Sequence, residues 1–194
     1  MTGRRLLLPI FLLVAIPAAA QTNPAGVAAG VFGGSAPRFI PTSLWQRMLE
    51  RPEDAPDPLT LTVPRDSAWN AVESVLKGFD LPITFSDPAS GQMGSVKSKL
   101  YKRMGKQAIS EFLRCGEGTA GANADMYVVY VTAVAIVTDG GNGNQTIGVL
   151  LTGQAVDLPN GRSDPVDCTS SGRFENRFTK ELVKRLGVLA VSNQ

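Results

Sequence analysis

Two long β-branched runs constrain this chain more than anything else in it. Met126 to Thr138 contains YVVYVTAVAIV, and Gln145 to Leu158 is a second such run, reached across the turn Asp139-Gly-Gly-Asn-Gly-Asn144. β-Branched and aromatic side chains suit a pleated surface, and a Gly/Asn-rich tip between two such runs reads as a hairpin. The rest of the fold has to be arranged around that pair. Leu59-Thr-Leu-Thr-Val63 alternates apolar and Thr residues, a strand signal. Pro64 then opens a helix in which Ala68, Trp69, Val72, Val75, Leu76 and Phe79 recur at 3–4 spacing, ending at Gly78. Trp69 on its apolar side is expected to pack in the core. Ile83 to Phe85 is the next strand, Asp87 to Gly91 a turn, and Gln92 to Leu100 the returning strand.

Beyond it, Ile109 to Cys115 reads as extended and Gly116 to Asn123 as a loop. Phe174, Phe178, Leu182 and Leu186 lie at i+4 intervals, with Thr169, Ser170 or Ser171 as N-cap and Gly187 as the stop. The order β-α-β-β-(β)-β-β-α predicts an α+β fold, a two-layer antiparallel sheet with two main helices on one face. A single domain over 59–190 holds these elements.

Two segments precede that domain. Arg4-Arg5, the apolar run Leu6 to Ile16 and Ala18-Ala19-Ala20 have the three parts of a secretory signal peptide, with cleavage near Ala20/Gln21. The apolar run is shorter than the roughly 20 residues a membrane span needs, and no later stretch reads as a transmembrane segment. The mature protein is therefore expected in the periplasm or outside the cell. Residues 21–58 are rich in Pro, Gly and Ala and read as a tether. Within it a short helix at 43–50 places Leu44, Trp45, Met48 and Leu49 on one face. That face has two readings, the simpler being that it docks on the domain's own core. The other is contact with an envelope protein partner.

Export decides how Cys115 and Cys168, the two cysteines, are read. Two cysteines in an exported chain pair as a disulfide, here closing a loop of about 50 residues worth about 4 kcal/mol in the chain-entropy model. With Cys115 at a strand end and Cys168 just before the last helix, the bridge is expected to pin that helix to the sheet.

The chemistry on offer is narrow. The chain has no His, so His-based triads, zinc sites and general bases are excluded. There is no nucleophile elbow and no Walker loop. Asp164 and Asp167, and Glu53, Asp54 and Asp57, lack calcium-loop spacing and read as solvated charge. Glu73 and Glu175 are placed on exposed helix faces. No catalytic residue, cofactor or metal is expected, and the chain is not read as an enzyme; carboxylates gathered by the fold would be the way it could be one. Without residues 1–20, 17 basic side chains balance 17 acidic ones, which argues against nucleic-acid binding.

One charged feature stands out: Lys97, Lys99, Lys102, Arg103 and Lys106, with Tyr101 among them and no acid. In a strand Lys97, Lys99 and Tyr101 share a face, a geometry suited to an anionic lipid surface. The plainer reading is a sheet edge whose lysines discourage edge-to-edge pairing. The last helix adds Arg173, Arg177, Lys180, Lys184 and Arg185, the final ones complementing its dipole.

The segment LTLTVPRDSAWNAVESVLKGFDLPITFSDPASGQMGSV resembles the BamC-type domains of outer-membrane barrel-assembly lipoproteins. Trp69, Val72, Leu76, Gly78, Ile83, Asp87 and Gly91 carry the likeness, over about 40 of the 194 residues. It implies a helix-grip fold and a binding scaffold with no catalytic residues to transfer. The chain departs from that family in lacking a lipidation Cys near the cleavage point and in having room for one such domain. The expected function is thus a non-catalytic envelope scaffold or adaptor; the alternative is a carrier of lipid or a small hydrophobic ligand between sheet and helices.

Overall fold

The computed structural model describes residues 31–33, 36–38, 40–118, 121–157 and 164–187. The expected signal peptide and residues 158–163 lie outside them. The chain runs α1 (Thr42–Leu49), β1 (Leu59–Thr62), α2 (Arg65–Gly78), β2 (Phe85–Asp87) and β3 (Gln92–Tyr101). A small hairpin, β4 (Arg103–Met104) and β5 (Gln107–Ala108), leads through a 3-10 turn to β6 (Leu113–Arg114). A two-residue pair, β7 (Glu117–Gly118) and β8 (Gly121–Ala122), precedes α3 (Asn123–Met126). The long hairpin β9 (Val128–Gly141) and β10 (Asn144–Val156) follows, then β11 (Val166–Ser170) and α4 (Arg173–Leu186). The fold is α+β, as the element order implied.

The sheet has seven strands in the order β2-β3-β9-β10-β11-β6, with β1 also on β10, and every pairing is antiparallel. β10 is shared: its first half pairs with β1 (Leu59↔Ile147) and its second half with β11 (Gly153↔Cys168). Alternation divides the hairpin into two faces. Val129, Val131, Ala133, Ala135, Val137, Ile147, Val149 and Leu151 join one core with the buried face of α2 and with Phe174, Phe178 and Leu182 of α4. Phe79, Phe112 and Phe174 meet edge-on there, ring centroids 5.0–6.0 Å apart. Trp69 packs at the margin of this core, half-buried.

The opposite face is also covered. Val134, Ile136, Leu150 and Phe85 are buried beneath Val31, Phe32, Ile40, Leu44, Trp45 and Met48. The described part of residues 21–58 is therefore a strap on the sheet, not a free tether. Its helix starts at Thr42 and buries Leu44, Trp45 and Met48, leaving Leu49 exposed. The strap can lie this close because residue 148 is glycine: a Cβ there would stand 2.5 Å from the Phe32 ring.

Several local expectations change. Ile109–Glu111 is a 3-10 turn, so the extended run shrinks to Leu113–Arg114. Asn123–Met126 is helical where loop and strand were expected. The N-cap of α4 is Gly172, which has no side chain to cap with; Ser170 Oγ and Ser171 Oγ instead accept from the Gly172 and Arg173 amides at 3.1 and 3.4 Å. The Cys115–Cys168 disulfide forms, closing 53 residues. Its place differs from expectation: Cys168 lies inside β11, and β11 pairs with β6 through Thr169↔Arg114. The bridge staples an edge strand to its neighbour, and does not pin a helix. Among the described residues no helix is long and apolar enough to cross a membrane.

Candidate anion-binding groove

The basic run does not stay together. In β3 the register against β9 shifts between Ser95 and Ser98, a bulge in which Lys97 takes a positive φ of 51°. The Lys97 amide donates to Thr132 Oγ1 at 3.1 Å. Lys99 pairs with Tyr130 and Tyr101 with Val128, opposite residues that alternate onto the strap side of β9. Lys97, Lys99 and Tyr101 are all exposed. Lys97 borders a polar recess of about 140 Å³ with Ser43, Arg47, Tyr130, Thr132 and Thr152. Arg47 in that recess is already ion-paired with Asp167.

Lys102 turns the chain away. It has a φ of 61° and lays its ammonium 5.1 Å from the centre of the Tyr101 ring. Arg103 and Lys106 then belong to the β4–β5 hairpin on the helix side. The hairpin is fixed by fully buried Met104 and by Gly105, whose φ of 62° favours glycine and whose Cβ would stand 3.0 Å from the Gly78 carbonyl oxygen. Arg103 Nη1 donates to the Lys106 carbonyl at 3.2 Å, closing the tip.

The tip faces α4. With Phe174, Phe178 and Leu182 turned into the core, Arg177, Glu181, Lys184 and Arg185 fall on the flank beside the hairpin and the end of α2. Together these elements enclose a groove of about 380 Å³. Its floor is apolar, from Val75, Phe79 and Met104. Its walls carry Lys106 and Gln107 on one side and Arg177, Glu181, Lys184 and Arg185 on the other. Arg185 Nη1 donates to Ser74 Oγ at 2.6 Å, tying α4 to α2. With the Gln107 amide turned so that its oxygen faces α4, Arg177 Nη2 donates to it at 3.1 Å.

Four cations thus share the groove with one carboxylate. The ion pairs among the described residues are Arg47–Asp167 and Lys77–Glu73, both outside it. Positive charge gathered in a concave, partly apolar site focuses the local field toward an incoming anion. The spacing of α4 was readable in the sequence, but its meeting with Lys106 was not: that depends on the bulge in β3 and the turn at Lys102.

Glu175 departs from expectation. It is 3% exposed rather than on a solvent face, because α4 enters the domain directly beside β11. Ser170 Oγ donates to Glu175 Oε2 at 2.8 Å. Burial pushes the Glu175 carboxyl above its ordinary range; the Ser170 hydrogen bond and the Arg51 charge oppose this. Arg51, from the strap, is pulled down by its own burial while Glu175 and Asp57 hold it up. Its guanidinium lies 4.9 Å from the Phe32 ring centre. Glu73, by contrast, is only half-buried and pairs with Lys77. Asp164 is exposed, while Asp167 takes Arg47 and the Gln154 amide. No family model matches the chain, and no curated protein matches it significantly.

Proposed function

We propose that this chain is an exported, non-catalytic domain that acts as a scaffold or adaptor in the cell envelope and holds another envelope component at the basic groove. The observation that carries this reading is the groove itself: four cations from two distant stretches of sequence meet one carboxylate in a concavity. The buried disulfide suits an oxidising compartment. The BamC-type likeness over the strand–helix–hairpin segment points toward a scaffold as well. The buried face of α1 leaves the groove as the stronger contact surface. The carrier alternative is less well supported, since Phe112, Phe174, Phe178, Leu76, Leu81 and Met93 fill the space between sheet and helices.

The test is crosslinking of the mature chain in its own envelope fraction, comparing wild type with Arg177→Glu/Lys184→Glu. Circular dichroism first establishes that both are folded. A component recovered with wild type and lost with the variant supports the scaffold. Identical recovery from both, or none from either, overturns it.

A further inference from the structure

Resting on the groove as the contact surface, the geometry points to its ligand: we infer that it receives a phosphate monoester or diphosphate group. The argument is first one of charge. Lys106 on the hairpin and Arg177, Lys184 and Arg185 on α4 approach the same space, and Glu181 cancels one of the four charges. A lone carboxylate would leave the site strongly positive. A phosphate monoester carries about −1.5 to −2 at neutral pH and offers three acceptor oxygens.

The donors fit that ligand. Arg177 is half-buried and oriented by Gln107, so its planar fork is held before any ligand arrives. Arg185 is held across the groove by Ser74. Lys106 and Lys184 are exposed and make no ion pair among the described residues, and they supply point charges on long side chains. Beneath them Val75, Phe79 and Met104 form an apolar floor, which strengthens ionic contacts made above it. A volume of about 380 Å³ admits a headgroup-sized anion.

Glu181 gives the inference a signature that a merely structural role would not have. Glu181 lines the same space and its charge opposes an anion, so removing that charge should tighten binding while removing a lysine weakens it.

The experiment is calorimetric titration of the mature chain with pyrophosphate, with citrate as a polycarboxylate control. Lys106→Gln/Lys184→Gln should weaken pyrophosphate binding by about tenfold or more, the scale of losing charge-assisted hydrogen bonds. Glu181→Gln should strengthen it several-fold, and Lys97→Gln/Lys99→Gln on the other face should leave it unchanged. Sedimentation with phosphatidic acid vesicles then separates the sources of the group. Groove-dependent vesicle binding assigns a lipid headgroup; pyrophosphate binding without vesicle binding assigns a soluble phosphate. Absence of pyrophosphate binding, equal binding by the lysine double variant, or citrate binding as tight as pyrophosphate overturns the inference. If envelope crosslinking still depends on Arg177 and Lys184 while pyrophosphate fails, the scaffold stands and its partner is an acidic protein. If both fail, both readings fall.

Discussion

The two faces of the sheet are covered in different ways. One lies under α2 and α4, amphipathic helices whose apolar stripes meet Ala133, Ala135 and the valines of β9. The other lies under a Pro/Gly/Ala-rich strap that uses a few large side chains, chiefly Phe32, Trp45 and Met48. The helical cover is cooperative by construction, since each helix carries its own hydrogen bonds and several buried positions. The strap depends on isolated anchors and on the short helix α1, so each anchor matters more to it and less to the whole domain.

The largest effect should come from breaking the helical cover. Phe174 is fully buried and touches Phe79, Phe112 and Phe178. Phe174→Ala should cost about 3–5 kcal/mol, read as a lower urea midpoint by circular dichroism. A loss below about 1 kcal/mol would mean the aromatic cluster is not the centre of the core. Next comes the staple at the sheet's far edge. Cys115→Ser/Cys168→Ser removes a cross-link over 53 residues, and about 4 kcal/mol or somewhat less should go with it. That loss should match the one seen on adding reductant to wild type.

The strap should respond less. Trp45 is 4% exposed, and Trp45→Ala should cost about 3 kcal/mol. The two tryptophans allow a sharper comparison, because Trp45 belongs to the strap and Trp69 to α2. Single-tryptophan variants, Trp69→Phe and Trp45→Phe, then report one face each by fluorescence. If the strap is the weaker cover, the Trp45 signal should change at lower urea than the Trp69 signal. Coincident transitions would show one cooperative unit. Gly148→Ala should be smaller still, about 1 kcal/mol from overpacking against Phe32, and Phe32→Leu should restore part of it.

This contrast also explains what was legible. The 3–4 spacing from Ala68 to Phe79 and the i+4 series from Phe174 placed both helices, and the β-branched runs placed β9 and β10, because burial on one side imposes a period. In the strap only α1 has a period, the one that put Leu44, Trp45, Met48 and Leu49 on one face; Phe32 and Ile40 belong to none. The strap's composition reads as a chain unable to bury enough surface, yet Phe32, Ile40, Leu44, Trp45 and Met48 need only a sheet face offering Val134, Ile136 and Leu150. Those β9 and β10 residues are as apolar as their neighbours on the other face, so the continuous runs carried the hint that both faces were buried. Of the groove, the flank of α4 was readable but its opposite wall was not. Alternation along Lys97, Lys99 and Tyr101 says nothing of a bulge or of a turn that sends Lys106 to the helix side. Glu175 was misplaced for a similar reason: it neighbours Phe174 and Phe178 in sequence, and only the approach of β11 and the strap shows that its side of the helix is closed.

Glu175 is where the two covers join, through α4, Ser170 of β11 and Arg51 of the strap, and its predicted effect is as small as that of Gly148. Burial dominates, so the folded chain holds the Glu175 proton more tightly than the unfolded chain, where the carboxyl titrates near 4.5. The stability this group contributes is then full below that ordinary value. It is lost as pH rises toward the folded-state value, above which a buried charge remains as a constant cost. Ser170 and Arg51 offset part of that cost, as does the group's place in the first turn of α4. Glu175→Gln keeps an acceptor for the Ser170 hydroxyl and removes the titration. Relative to wild type, the variant should therefore gain stability between pH 4 and pH 7, by about 1 kcal/mol, measured as the difference in urea midpoints at the two values. A variant that instead loses ground as pH rises would mean that the Arg51 charge outweighs burial. The strap would then be held to the helical layer by charge as much as by Phe32 and Trp45.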